Sequence, residues 1–252
     1  MATRKEAAGK EEAGEAVELG SRSALASAEV EHLLKMMKPV KLAEELKPHI
    51  VRTGGTFPVL KHPLVTGIYL PAMNGHFNDT LERKKVEIKS ALERNDIAQY
   101  VWLHERPFRV SALYRGTVMM DLSKNYSLPK LIVEVWSDAE WPSASQNLWL
   151  KLFRKHVRGK LKLPKIPKTL YRGTNRDEGA KLGMSWTSRR SAAEIFAKRN
   201  VYYNDGEPIV YSVQPDAEDV FARYNGRSES EYICDPRTLI KNPTLTWEKS
   251  SA

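Results

Sequence analysis

Cysteine is nearly missing from this sequence. One cysteine, Cys234, stands among 252 residues, which excludes an internal disulfide and fits a reducing compartment. No apolar run approaches the ~20 residues that a membrane helix needs. The first twenty residues, MATRKEAAGKEEAGEAVELG, carry charges but no apolar core of the kind that directs secretion. A cytoplasmic protein without membrane contact is therefore expected. Six scattered histidines (His32, His49, His62, His76, His104, His156) include no pair at metal-ligand spacing, so no metal site is expected. Acidic residues are absent from Lys151 to Arg172, where KLFRKHVRGKLKLPKIPKTLYR holds nine Lys or Arg. The net charge of the whole chain is also +9, so the remainder balances to zero. Such a run suits an anionic partner, whether nucleic acid, a nucleotide phosphate or an acidic protein face, or else a solvated helix end and linker. No nucleic-acid-binding motif with interleaved aromatics accompanies it.

The residues that are present divide the chain into three textures. Residues 1–25 are rich in Ala, Glu, Gly, Lys and Ser, lack aromatics and read as a flexible tail. Residues 26–160 read as mostly helical. Ser27 is placed to cap a helix with Val30, Leu33, Leu34 and Met37 on one face, ended by Pro39. A short helix is expected at Leu42–Leu46, and GGTFPVLKHPLVTG reads as loop. Asp79 with Glu82 resembles a capping box opening LERKKVEIKSALERN, and Asp96 can cap IAQYVWLHE. A hairpin is expected near Arg109–Met119. Helical spacing returns at Leu131, Ile132, Val135 and Trp136, after Ser127 and Pro129, and again from Leu148 to Val157. Trp102, Trp136, Trp141 and Trp149 are expected to build a core.

After the basic linker the texture turns to short β-type runs: TLYRGT, GMSWTS, PIVYSV, EDVFA, SEYIC and TLTWEK. One helix, RSAAEIFAKR, capped by Ser188 or Ser191, interrupts them. The expected class is α+β, a helical N-terminal region followed by a compact β-sandwich or split barrel over 161–252.

The pentapeptide LYRGT occurs twice, at Leu113–Thr117 and Leu170–Thr174. The first copy sits between helices and the second opens the β-rich part. No flanking similarity extends the match, so it is not a structural repeat. Only the second copy is followed by a hydroxyl cluster, Ser185-Trp186-Thr187-Ser188, and then by Glu229-Ser230-Glu231. On a strand, residues i and i+2 share a face, so the two carboxylates are expected to project together into one cleft. Arg115 has no such company and is expected at the surface or in an ion pair.

An arginine, a hydroxyl strand and Glu-x-Glu, in that order in a small β domain, resemble the R-S-E class of mono-ADP-ribosyltransferases. That class includes clostridial actin-modifying toxins, vertebrate arginine-specific ectoenzymes and transferases of T-even phages. Arg172 in LYRG matches the first-strand arginine, GMSWTSRRSAAEIFA the Ser-Thr-Ser strand with its helix, and ESEYICDP the Glu-x-Glu strand. The resemblance covers about residues 165–250. Two features depart from the family pattern. The hydroxyl motif reads Ser-Trp-Thr-Ser, so Ser185 with Thr187 or Thr187 with Ser188 can fill the serine roles. The span from Arg172 to Ser185 is also short, which implies a minimal core.

The resemblance implies an enzyme that uses NAD+ as co-substrate and modifies an acceptor, a protein arginine given Glu at position 229. It implies catalytic roles for Glu231, Glu229 and Ser185, and NAD+ contacts by Arg172, Gly173, Ser185, Thr187, Ser188 and Tyr203. Tyr202 or Tyr203, read as part of the loop RNVYYNDGEP, would stack on nicotinamide, whereas Phe196 is expected in the core. A carboxylate near the ribose suits an oxocarbenium-like transition state, and an arginine fork suits a pyrophosphate. The implied partners are NAD+ and an acceptor protein, with a nucleic acid-associated acceptor left open, and the chain is taken as a monomer. The alternative readings are an NAD glycohydrolase and a basic nucleic-acid-binding or virion-packaged protein, with transfer onto RNA or DNA left open.

Overall fold

A computed structural model describes residues 40–122, 127–139, 146–175, 183–204, 206–226, 230–239 and 246–249. The expected tail, the helix from Ser27 and Trp141 lie outside them. The chain divides into two compact units, 1–83 and 84–252. The units part at 83/84.

In the first unit, a 3-10 helix spans Glu44–His49, shifted from the helix expected at Leu42–Leu46. Strands β1 (Ile50–Val51), β2 (Val59–His62) and β3 (Val65–Ile68) form an antiparallel sheet in sequence order. The segment expected as loop is therefore largely a hairpin. Its pairing of His62 with Val65 leaves Pro63 and Leu64 as the turn, and the Leu64 N–H donates to His62 Nδ1 at 3.2 Å. Leu60, Leu64 and Val65 are buried with Phe77 and Leu81 of helix α1 (Asn74–Glu93). That helix begins five residues before Asp79, so the Asp79–Glu82 spacing marks a helix interior. Asn74 and Asn78, one turn apart, hold the incoming chain: Asn74 Nδ2 donates to Val40 O and Asn78 Oδ1 accepts from Ala43 N–H.

The second unit joins helices and one sheet. Helix α2 (Ile97–Trp102) starts at Asp96, whose side chain accepts from Gln99 N–H as its cap. Helix α3 (Arg109–Met119) occupies the segment expected as a hairpin. Its Val110, Leu113 and Gly116 recur at helical spacing and are all buried. Helices α4 (Leu128–Asp138) and α5 (Gln146–His156) fall where the apolar spacing places them. Trp136 and Trp149 are buried, whereas Trp102 is 39 % exposed beneath the Arg109 guanidinium.

All six expected β runs form strands: β4 (Leu170–Asn175), β5 (Ser185–Thr187), β6 (Pro208–Val213), β7 (Val220–Tyr224), β8 (Glu231–Cys234) and β9 (Thr246–Lys249). They form one open antiparallel sheet in the order β7-β8-β5-β4-β6-β9. Neither sheet of the protein closes into a barrel, and the β-rich part is a single layer of strands among the described residues. The class is α+β.

Alternation along these strands gives the sheet two different faces. On one, Ala222 and Ile233 join the core of α3, α4 and α5, while helix α6 (Arg190–Asn204) packs Ala193 and Ala197 on Val210 and Tyr171. On the other, Leu170, Trp186, Tyr211, Val213 and Tyr232 form a second core. Leu163 and Ile166 of the basic linker pack against it, together with Leu239 of the short helix α7 (Pro236–Leu239). No helix among the described residues is long and apolar enough to cross a membrane.

Candidate functional site

Three neighbouring strands carry the motif residues. Arg172 lies on β4, Ser185 and Thr187 on β5, and Glu231 opens β8, with β5 between the other two. Thr187 pairs with Tyr171 on one side and with Glu231 on the other. Directly paired residues of antiparallel strands share a face, so Thr187 and Glu231 project together, with Ser185 two residues along. Arg172 pairs with Tyr211 and alternates with Tyr171, so its side chain leaves the opposite face. The sheet thus brings Ser185, Thr187 and Glu231 to one face and roots Arg172 on the other.

The guanidinium nevertheless reaches the plane of the sheet. Strands β4 and β5 are joined at one residue pair, Tyr171 with Thr187. Beyond that pair Arg172 Nη1 donates to Ser185 O at 2.9 Å. Gly183 lies against the same guanidinium, since a Cβ built on it would fall 2.4 Å from Arg172 Nη2. Its carbonyl accepts from Trp186 Nε1 at 3.1 Å. A glycine followed by a strand whose carbonyl faces the fork thus makes the socket for Arg172.

Glu231 is half-buried beneath the helices. The Trp136 indole Nε1–H donates to its Oε1 at 3.0 Å. Trp136 itself stands edge-on to Trp149 and Phe153, with ring centroids 5.2 and 5.6 Å away, which fixes the indole. Tyr224 on β7 pairs with Glu231 from the other side. The strand begins at Glu231, and Ser230 before it has φ 46°, in the left-handed region. The same-face expectation for Glu229 and Glu231 assumed an extended chain through Ser230 and falls partly outside the described residues. Glu229 lies outside the described residues.

The other expected residues take varied positions. Thr187 is buried, and its Oγ1 accepts from Arg189 N–H at 3.2 Å, so this hydroxyl supports the turn into α6. Ser188 is half-buried in that turn, and Ser191, the alternative cap, lies inside the helix. Gly173 is buried where α6 crosses β4, and a Cβ there would meet Ala193 O at 1.7 Å. Its place in the fold is therefore the close approach of helix to strand. Tyr202 and Tyr203 belong to the last turn of α6, not to a loop, because the stop signal comes only at Asn204-Asp205-Gly206. Phe196 is half-buried under the Arg199 guanidinium, 4.7 Å from the ring centroid, rather than in the core. Arg115 is exposed on α3.

Two features have no counterpart in the sequence reading. Trp136 was legible as a core residue, but nothing in its helical spacing reveals a partner 95 residues away. Asp235 is a buried carboxylate held bidentately by Arg154, through Nε at 2.8 Å and Nη2 at 2.7 Å, and by Arg158 Nη2 at 2.8 Å. Burial pushes its pKa up. The hydrogen bond from Arg154, the Arg237 N–H and the two guanidinium charges outweigh that and hold it below the usual carboxylate value. Cys234, fully buried beside it, is pushed well up by burial and by Asp219, Glu231 and Asp235, so it is an inert thiol.

Separately, a cleft of about 450 Å³ opens between α3 and α5, and none of the motif residues lines it. Among the described residues no cluster of His, Cys, Asp or Glu is arranged to hold a metal ion. Comparisons with protein-family models, with curated proteins and with solved structures found no match to this chain.

Proposed function

We propose that this chain is a mono-ADP-ribosyltransferase that moves ADP-ribose from NAD+ to a protein arginine and releases nicotinamide. The observation that carries the proposal is adjacency. Arg172, the Ser185–Ser188 hydroxyls and Glu231 are separated by 13 to 59 residues of sequence and lie on three successive strands of one sheet. The sheet with α6 would be the transferase core, and the helices above Glu231 would help select the acceptor.

Each group has a role its chemistry suits. The ribose C1′–N bond to nicotinamide breaks with its electron pair passing to the pyridinium nitrogen. Glu231 stabilises the positive charge developing on the ribose, in a site where Trp136 already orients the carboxylate. An arginine nitrogen of the acceptor forms the new bond to C1′ and gives up a proton, for which Glu229 is the acceptor. Arg172 binds the pyrophosphate. Because its side chain leaves the far face, it can do so only where β4 and β5 diverge, so the dinucleotide would lie across that opening. Ser185, whose carbonyl holds the guanidinium, stands at the same opening and orients the bound ribose.

Incubation of the full chain with NAD+ labelled in the adenylate part, together with a cell lysate, tests the proposal. Label in acid-precipitable protein, released by reagents that cleave arginine linkages, is the expected result. Label found only as free ADP-ribose would identify the glycohydrolase alternative, and unconsumed NAD+ would defeat both.

A further inference from the structure

The nine cations of Lys151–Arg172 are sorted by use. Arg154 and Arg158 hold Asp235, and Arg172 donates to Ser185 O. The remaining six, Lys151, Lys155, Lys160, Lys162, Lys165 and Lys168, are all exposed. Lys151 and Lys155 stand one turn apart on α5 at the cleft against α3, whose wall includes Tyr114 and Val118. Lys151 Nζ lies 5.8 Å from the centre of the Tyr114 ring. His156 also lines the cleft, and burial with the nearby Lys155 and Lys160 charges pushes its pKa down. It meets a ligand as a neutral imidazole able to hydrogen bond.

From the end of α5 the chain leaves the helix, and residues 162–167 have no regular secondary structure. Leu161 turns to the helical core, and Leu163 and Ile166 to the second face of the sheet. The lysines between them are left facing outward. At up to ~3.3 Å per residue, Lys160, Lys162, Lys165 and Lys168 follow one another at no more than roughly 7 to 10 Å, and Lys160 Nζ turns back to donate to Lys155 O at 3.4 Å. The result is a line of single-sign charge that begins at a cleft with an aromatic wall.

We infer that the α3–α5 cleft and this lysine line form a track for the phosphodiester backbone of single-stranded nucleic acid, with Tyr114 receiving a base. A charged groove that follows the backbone and an aromatic surface for stacking are what sequence-tolerant single-strand binding requires. An acidic peptide would satisfy the lysines but would leave the aromatic and apolar wall of the cleft without a planar partner. The inference does not depend on any catalytic activity of the chain.

Fluorescence anisotropy of labelled 20-nucleotide oligo-U, oligo-dT and a duplex, titrated with the full chain from ~50 to ~300 mM salt, tests it. Both single strands should bind more tightly than the duplex, with log K falling linearly in log salt. Lys151→Gln with Lys155→Gln, and separately Lys162→Gln with Lys165→Gln and Lys168→Gln, should each weaken binding about 10-fold or more. Each lost phosphate contact should flatten the salt slope by ~0.7. Tyr114→Ala should weaken binding without changing the slope. These lysines are exposed, so unchanged thermal unfolding accompanies the expected result. Wild-type affinity in both lysine variants, preference for the duplex, or equal competition by a glutamate polymer of matched charge would overturn the inference.

Discussion

Trp136 donates its indole N–H to Glu231 Oε1 across 3.0 Å, joining a buried helix to the first residue of β8. The indole is clamped by Trp149 and Phe153, so it holds the carboxylate in one orientation. Trp136→Phe keeps most of the ring volume and removes the donor. If Glu231 acts in catalysis, turnover should fall about 10-fold while the KM for NAD+ stays near wild type, and the fold should lose only ~1–2 kcal/mol. Steady-state kinetics beside a urea titration would show whether the two effects separate in this way.

Arg172 and Arg115 share the sequence context LYRGT but not a structural one. Arg172 sits in a socket made by Gly183 and the Ser185 carbonyl, whereas Arg115 is exposed on a helix. Arg172→Lys loses the planar fork and should weaken NAD+ binding at least ~10-fold, about 1.4 kcal/mol. Arg115→Lys should leave it unchanged. Titration of NAD+ into the two variants measures this, and the reverse ranking would remove the pyrophosphate role from Arg172.

The glycines of the same pentapeptide also diverge. At Gly173 a Cβ would overlap the Ala193 carbonyl at 1.7 Å, and backbone cannot swing aside. At Gly116 it would meet Ile97 Cδ1 at 3.1 Å, the end of a side chain, within a helix that favours alanine. Gly173→Ala should cost about 3 kcal/mol, and Gly116→Ala should remain within ~1 kcal/mol of wild type. Chemical denaturation of each variant decides the ranking.

Those two copies of LYRGT show what could and could not be read from the chain. Five identical residues form a helix at Leu113 and a strand at Leu170, because tertiary partners and not local propensity decide such short segments. Where β-branched and aromatic residues cluster between turn signals, as in PIVYSV and EYIC, the strands were legible. So were α4 and α5, whose apolar spacing is long enough to be unambiguous. The hairpin at Val59–Ile68 was hidden by Gly and Pro, which here mark its approaches and its turn. The strands that carry Arg172, Ser185 and Glu231 were legible as β-type runs, but the sheet order that makes them neighbours was not. The face from which each side chain leaves was not, because register depends on pairings that the sequence does not state.

Asp235 gives a pH signature independent of any activity. Its folded pKa lies below its unfolded value of about 3.9. The stability it contributes is therefore fully present above that value and is lost as pH falls through the folded pKa. The urea midpoint should be insensitive to this group between pH 7 and ~5 and should drop below ~4. Arg154→Met leaves the buried carboxylate with Arg158 as its remaining side-chain cation partner. The variant should cost about 2–3 kcal/mol at pH 7 and lose less further stability below pH ~4 than wild type, because its folded pKa moves up toward the unfolded value. An unchanged midpoint in Arg154→Met would show that the ion cluster does not hold the end of β8.

Nicotinamide release from NAD+, followed in parallel for wild type and Glu231→Gln with an arginine-bearing acceptor, tests the catalytic account most directly. Wild type should release nicotinamide in step with ADP-ribose appearing on the acceptor. Glu231→Gln should still bind NAD+ and should release nicotinamide about 10²-fold more slowly, the scale for losing a preorganised charge at the transition state. No release by wild type, or a variant within a few-fold of it, would contradict the account.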